Sequence, residues 1–172
     1  DSTNIIKTPS AAVITGIGLD HTAQLGSTIS AIAREKAGII KAGCPVILGS
    51  SDPDVQRVVG EKAALEHAPV HLVDLDKLQI EEVTLNGTRF SLAGEQKPYH
   101  LQLLGKYQPR NAAIAIETAK VLGLSEVCIH AGIENSRWPA RFEILQQDPL
   151  VIFDGGHNPQ GIDAVVESVE TL

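Results

Sequence analysis

Aromatic side chains are nearly absent: three phenylalanines, two tyrosines and one tryptophan make up 3% of the 172 residues. A core built without them must be filled by Ile, Val, Leu and Ala. Cysteine is scarcer still. Cys44 and Cys128 stand far apart and lack metal-site spacing, so they read as two reduced thiols in a cytoplasmic protein rather than as a disulfide framework. No apolar run approaches the ~20 residues that a membrane-spanning helix needs. The opening Asp1-Ser2-Thr3-Asn4 does not read as a signal peptide. Positive charge is in deficit, 14 Lys and Arg against 21 Asp and Glu, for a formal net charge of -7. That balance disfavours nucleic acid and anionic membranes as partners. What is present, 43% hydrophobic and 20% charged residues, is the composition of an ordinary globular domain, or of one domain and a part of another.

The apolar pattern alternates between short runs and helical stripes. Residues 13–17 read as a buried strand, and a helix follows with Ile29, Ile32 and Ala33 on one face. Residues 45–49 form a second strand, and 54–66 an amphipathic helix with Val55, Val58, Val59 and Leu65 on one side. Residues 70–73 form a third strand. This βαβαβ rhythm predicts a mostly parallel sheet flanked by helices. Residues 78–104 break it with short alternating runs around Asn86-Gly87, a strong hairpin signal. Helices return over 109–122, stopped by Gly123, and from an N-cap at Ser125 to about residue 134. Beyond the interruption at Trp138-Pro139, strands are expected over 142–145 and 150–153, and Asn158-Pro159 opens a last helix.

Two stretches carry candidate chemistry. In an open α/β sheet ligands bind beyond the C-terminal ends of the strands, and Asp20-His21-Thr22 follows the first one. On the next helix Lys36 falls at i+7 of the apolar stripe, where an unpaired ammonium would be costly. It must snorkel out, find an acidic partner, or be chemically modified. The second stretch is Asp154-Gly155-Gly156-His157-Asn158-Pro159. Asn158 is a good N-cap with Pro159 at the first helical position, and a helix N-terminus suits an anionic ligand. Asp154 there either accepts bonds from ribose hydroxyls or, with Asn158, merely shapes the turn.

Taken in order, several pieces resemble the folylpolyglutamate synthase and bifunctional dihydrofolate synthase family of the Mur ligase superfamily. They are Asp1-Ser2-Thr3-Asn4, Ile17-Gly18-Leu19-Asp20-His21-Thr22, Leu25-Gly26, Arg34-Glu35-Lys36-Ala37-Gly38-Ile39-Ile40-Lys41, Gln108-Pro109-Arg110-Asn111-Ala112-Ala113, Trp138-Pro139-Ala140-Arg141 and Asp154-Gly155-Gly156-His157-Asn158-Pro159. The resemblance runs along essentially the whole chain. It implies an α/β fold: residues 1–141 as the second half of a Mur-ligase-type ATPase domain, and 142–172 as the start of a smaller C-terminal domain. The family's Gly-Lys-Ser phosphate loop has no counterpart here, so the chain is expected to be an internal piece that does not turn over alone. The implied parent is a cytoplasmic, monomeric ligase that uses ATP and Mg²⁺ to join L-glutamate to folate or dihydropteroate through an acyl phosphate.

By position in the motifs, the resemblance makes His21 a Mg²⁺ ligand, to be supplemented by oxygen donors. It makes Lys36 a carbamylated lysine, since burial favours the neutral amine that reacts with CO2. Asn111, Arg141 and Asp154 become ATP contacts, His157 lines the adenine side, and Asp1 and Ser2 close a pterin-binding stretch. The sequence departs from the family's commonest pattern at Gly156, often Ala, and at Ala140, often Gly. Three other readings compete: a Mur ligase acting on a cell-wall nucleotide, a metallohydrolase using Asp20, His21, His67 and His71, and a non-catalytic nucleotide-binding module.

Overall fold

A computed structural model describes residues 2–17 and 28–171. The chain divides into two compact units, Asp1–Asp76 with Glu117–Leu124, and Lys77–Ile116 with Ser125–Leu172.

The first unit is built on strands β1 (Ala12–Ile14), β2 (Val46–Leu48) and β3 (Val70–Leu72). They pair in parallel with β2 in the middle: Val46 lies opposite Ala12 and Val70, and Leu48 opposite Ile14 and Leu72. All three β2 residues are buried, as a continuous apolar run requires when both faces of a strand are covered. Helix α1 (Ile29–Ala37) is capped by Thr28, whose side chain accepts from the Ala31 N–H at 3.2 Å. Helix α2 (Pro53–Leu65) starts on Asp52, whose carboxylate accepts from Asp54 and Val55, with Pro53 in its first turn. Both helices send small and branched side chains (Ala33, Ala37, Val55, Val59, Ala63) into one core with Val46 and Leu48.

Two expectations about these helices need correction. Leu65 is 78% exposed: it is the last residue of α2, and Ala63 and Ala68 take the buried positions around the turn into β3. On α1 the apolar stripe continues at i+8 rather than i+7. Ala37, one turn after the buried Ala33, is buried and Lys36 is exposed, which leaves the ammonium in water while a small apolar side chain takes the core position.

The second unit opens with an antiparallel sheet of β4 (Gln79–Thr84), β5 (Gly87–Ser91) and β6 (Tyr99–Leu101). Its hairpin is where Asn86-Gly87 predicts it, with Thr84 paired to Gly87 across Leu85-Asn86. Gly87 has φ +139, and a Cβ there would stand 2.6 Å from the Leu101 carbonyl oxygen, so glycine is required twice over. Helix α3 (Gln108–Val121) runs from this unit into the first. Helix α4 (Glu126–Glu134) is capped by Ser125. Phe90, Tyr99 and His130 stack in series, with centroids 5.5 Å and 4.1 Å apart. The chain ends in an antiparallel pair, β7 (Glu143–Gln147) and β8 (Leu150–Phe153), and helix α5 (Pro159–Val169) capped by Asn158. Cys44 is buried and Cys128 exposed, and neither is in a disulfide. Among the described residues no helix is long and apolar enough to cross a membrane.

Gly87→Ala should therefore destabilise the protein by about 2 kcal/mol or more, combining left-handed strain with a backbone clash. Gly94→Ala, at φ +86 with no heavy atom within 4 Å of the added Cβ, should cost about 1 kcal/mol, the strain alone. Denaturant midpoints at unchanged slope check both.

Candidate nucleotide-binding cleft

In the second unit the start of α3 and the segment before β7 share a cleft of about 440 Å³, lined by Leu103, Tyr107, Gln108, Asn111, Trp138 and Arg141. Gln108 is buried and keeps its side-chain oxygen 3.4 Å from the Asn111 amide nitrogen. Trp138 is 66% exposed, which leaves a large flat ring available at the rim. Arg141 is exposed too. A guanidinium, two carboxamides and two aromatic rings around one cavity suit a ligand with a planar base and anionic groups.

The backbone that presents Arg141 is unusual. Ala140 and Phe142 on either side of it have φ +59 and +51, a left-handed region that costs non-glycine residues energy and persists only where the surroundings enforce it. They do so here. The Glu143 carboxylate accepts from the Ala140 N–H at 2.8 Å, and the Ala140 carbonyl accepts from the Gly155 N–H at 2.9 Å. The Phe142 N–H donates to Asp154 Oδ2 at 2.7 Å, and the Phe142 side chain is buried.

Asp154 is the centre of this arrangement. Oδ1 accepts from the Gly156 N–H at 2.6 Å, and Oδ2 also accepts from the Tyr107 hydroxyl at 3.1 Å. Burial, then the charge of Asp154 and its hydrogen bond, push the Tyr107 phenol up to about 12, with Arg141 opposing. His157 is exposed, its Nδ1 3.0 Å from the Gly155 carbonyl oxygen.

Of the sequence-predicted residues, Asn111 and Arg141 thus line one cleft, and Asp154 contacts its wall through Tyr107. Lys36 belongs to the first unit. It is exposed rather than buried, and it lines a cavity of about 370 Å³ at the end of β1 with Thr15, Gly16, Glu35 and Asn4. The burial argument for its modification therefore fails, although its place beyond the strand end stands. Asp1 and His21 lie outside the described residues, and Ser2 opens a short 3-10 turn, Ser2–Ile5. Among the described residues no group of three or more His, Cys, Asp and Glu side chains could hold a metal. Sequence reasoning missed Tyr107 and Glu143. Tyr107 directly precedes α3 and carried no periodic signal, and the acidic partner of the Ala140 N–H follows only once the positive φ values are known.

The first unit has the α/β fold with a parallel sheet, and the second has a polar cleft at a helix start whose lining suits a nucleotide. The Mur ligase middle domain family matches residues 2–119, and the chain belongs to that family. Folylpolyglutamate synthase of Lacticaseibacillus casei is 41% identical over all of this chain and 42% of its own length. Dihydrofolate synthase/folylpolyglutamate synthase of Bacillus subtilis is 37% identical over 99% of this chain and 42% of its own. A solved FPGS-AMPPCP-folate complex superposes with a TM-score of 0.86 at 40% identity, covering 99% of this chain and 44% of that one. The chain thus spans about two fifths of the length of these relatives.

The raised phenol has a signed consequence. A group whose folded pKa lies above its unfolded value contributes stability that is complete below pH 10 and lost as pH rises through about 12. The stability advantage of the wild type over Tyr107→Phe should therefore be constant below pH 9–10 and shrink across pH 10–12. Urea melts of both proteins over that range measure it.

Proposed function

We propose that the full-length protein containing this chain is an ATP-dependent ligase that adds L-glutamate to folates, and to dihydropteroate where its pocket admits it. The observation that carries this reading is the cleft that joins Asn111, Arg141 and Trp138, in a chain similar throughout to folylpolyglutamate synthases. A substrate carboxylate attacks the γ-phosphorus of ATP and ADP departs. The acyl phosphate is then captured by the amine of glutamate with loss of phosphate. Arg141 would meet the phosphate oxygens with a planar fork of donors, and Asn111 would address the base or ribose. Asp154 has two further donors on Oδ2 and one on Oδ1, so its remaining acceptor capacity lies on Oδ1. His157 is assigned to the adenine side, and Asp1 and Ser2 to the pterin.

Mg²⁺ belongs to this proposal with His21 as ligand. The described residues hold no group of three or more His, Cys, Asp and Glu side chains for a metal, and nothing in the assignment of the cleft depends on it. Lys36, beside Glu35 and Thr15 in the first-unit cavity, is proposed as the modified lysine on the strength of its place in the motif. Residues 1–141 and 142–172 are proposed as parts of successive domains. A monomer in the cytoplasm is the proposed setting.

The full-length protein should incorporate glutamate into folate only with ATP, and saturating ATP should stabilise it by about 2.7 kcal/mol at a hundredfold excess over Kd. The 172-residue chain alone should show no turnover and almost no ATP-dependent shift in its melting temperature. Full activity in this chain, or no ATP-dependent incorporation by the full-length protein, would overturn the reading.

For Lys36 the expected pattern is specific. Lys36→Ala should remove most activity, about 10²-fold or more if a charge near the phosphates is lost, and a short carboxylic acid in the buffer should restore part of it. Lys36→Arg should not recover. Arginine tolerance with no rescue by the acid assigns the residue to a simple cationic role.

A further inference from the structure

We propose that Tyr107 is a positioning residue for Arg141, acting through the Asp154 carboxylate on the left-handed turn that presents the guanidinium to the cleft. The inference deepens the nucleotide assignment above and rests on it.

Arg141 stands between two non-glycine residues with positive φ, Ala140 and Phe142. Left to itself such a turn would relax, and the direction of the Arg141 side chain would relax with it. The Phe142 N–H is held by Asp154 Oδ2 at 2.7 Å, the oxygen to which Tyr107 donates at 3.1 Å. The phenol therefore restrains the acceptor that restrains the turn. Its own place is fixed in turn. Gly105 has φ +109, and a Cβ there would meet the Tyr107 ring at 3.0 Å, so the ring is seated against a residue that has to be glycine. The next residues along α3, Gln108 and Asn111, line the cleft together with Tyr107 and Arg141. One hydroxyl thus ties the helix that offers Asn111 to the turn that offers Arg141. Loss of the hydroxyl leaves the ring and its packing in place and removes only the tie.

The test is a double-mutant cycle in the full-length protein, with AMPPCP affinity at equilibrium and the KM for ATP as readouts. Tyr107→Phe should weaken AMPPCP binding about tenfold, the scale of one hydrogen bond to a charged acceptor. A KM change confined to ATP, with the values for folate and glutamate within about twofold of the wild type, separates nucleotide positioning from a general loss of structure. Arg141→Ala should weaken AMPPCP binding at least as much. In the Arg141→Ala background, Tyr107→Phe should add less than about twofold, because what it positions is gone. Melting of the nucleotide-free proteins accompanies each measurement. If Tyr107→Phe does not fold, Tyr107→Leu, which also lacks the hydroxyl, takes its place in the cycle with the same expectation of non-additivity. Unchanged affinity in Tyr107→Phe, or the same loss with and without Arg141, overturns the inference and leaves Tyr107 a packing residue. Wild-type AMPPCP affinity in Arg141→Ala overturns the assignment of the cleft to the phosphates, and this inference with it.

Discussion

The Asp154 carboxylate, at the end of β8, receives the Phe142 and Gly156 backbone N–H groups and the Tyr107 hydroxyl. Removing such a bond from a charged, half-buried acceptor costs on the order of 1.5–3 kcal/mol. Three constraints meet on one group: the turn around Arg141, the turn into α5 and the residue that leads α3. An ionised carboxylate offers about four acceptor positions, and three are taken here. The choice between a turn-shaping Asp154 and a ligand-binding one is therefore not exclusive. The side chain does the first with three positions and has one left for a hydroxyl.

Much of the fold was legible because burial on both faces leaves a plain mark. Val46-Ile47-Leu48 is apolar at every position and forms the central strand. Caps are equally readable, since Ser125 and Asn158 each satisfy an orphan N–H with an oxygen three residues away. Gly87 announced the hairpin for a reason local to it. The tie between Tyr107 and Asp154 spans 47 residues, and no pattern of period 2 or 3.6 encodes a single long-range hydrogen bond. The left-handed φ of Ala140 and Phe142 was equally hidden, because neither residue type favours it. For the site, then, Asn111, Arg141 and Asp154 could be named from their motifs, but the group that organises them could not.

Lys36 shows where a helical stripe misleads. Ile29, Ile32 and Ala33 define a face with room for either i+7 or i+8 at its next turn, and α1 buries Ala37. The difference changes the chemistry rather than the location. Lys36 still borders the cavity beyond β1 together with Glu35 and Thr15, but an exposed side chain leaves no buried charge to be relieved. Any modification there must be favoured by what its product contacts, not by relief of a buried charge.

Ala140 raises the question of why a left-handed position is not glycine. Glycine would adopt φ +59 without strain, yet it would bring a larger conformational entropy to the unfolded chain. Alanine reverses both terms: it is strained when folded and freer of entropy loss on folding. Its N–H and C=O are both engaged, by Glu143 and by Gly155, so the strain is opposed by bonds that depend on the turn keeping its shape. A glycine would leave the Arg141 backbone several alternatives of similar energy if one of those bonds broke. With alanine, followed by the buried Phe142, the turn is held by its contacts rather than by the indifference of its residues. That is the arrangement expected where the direction of one long, charged side chain has to be reproducible.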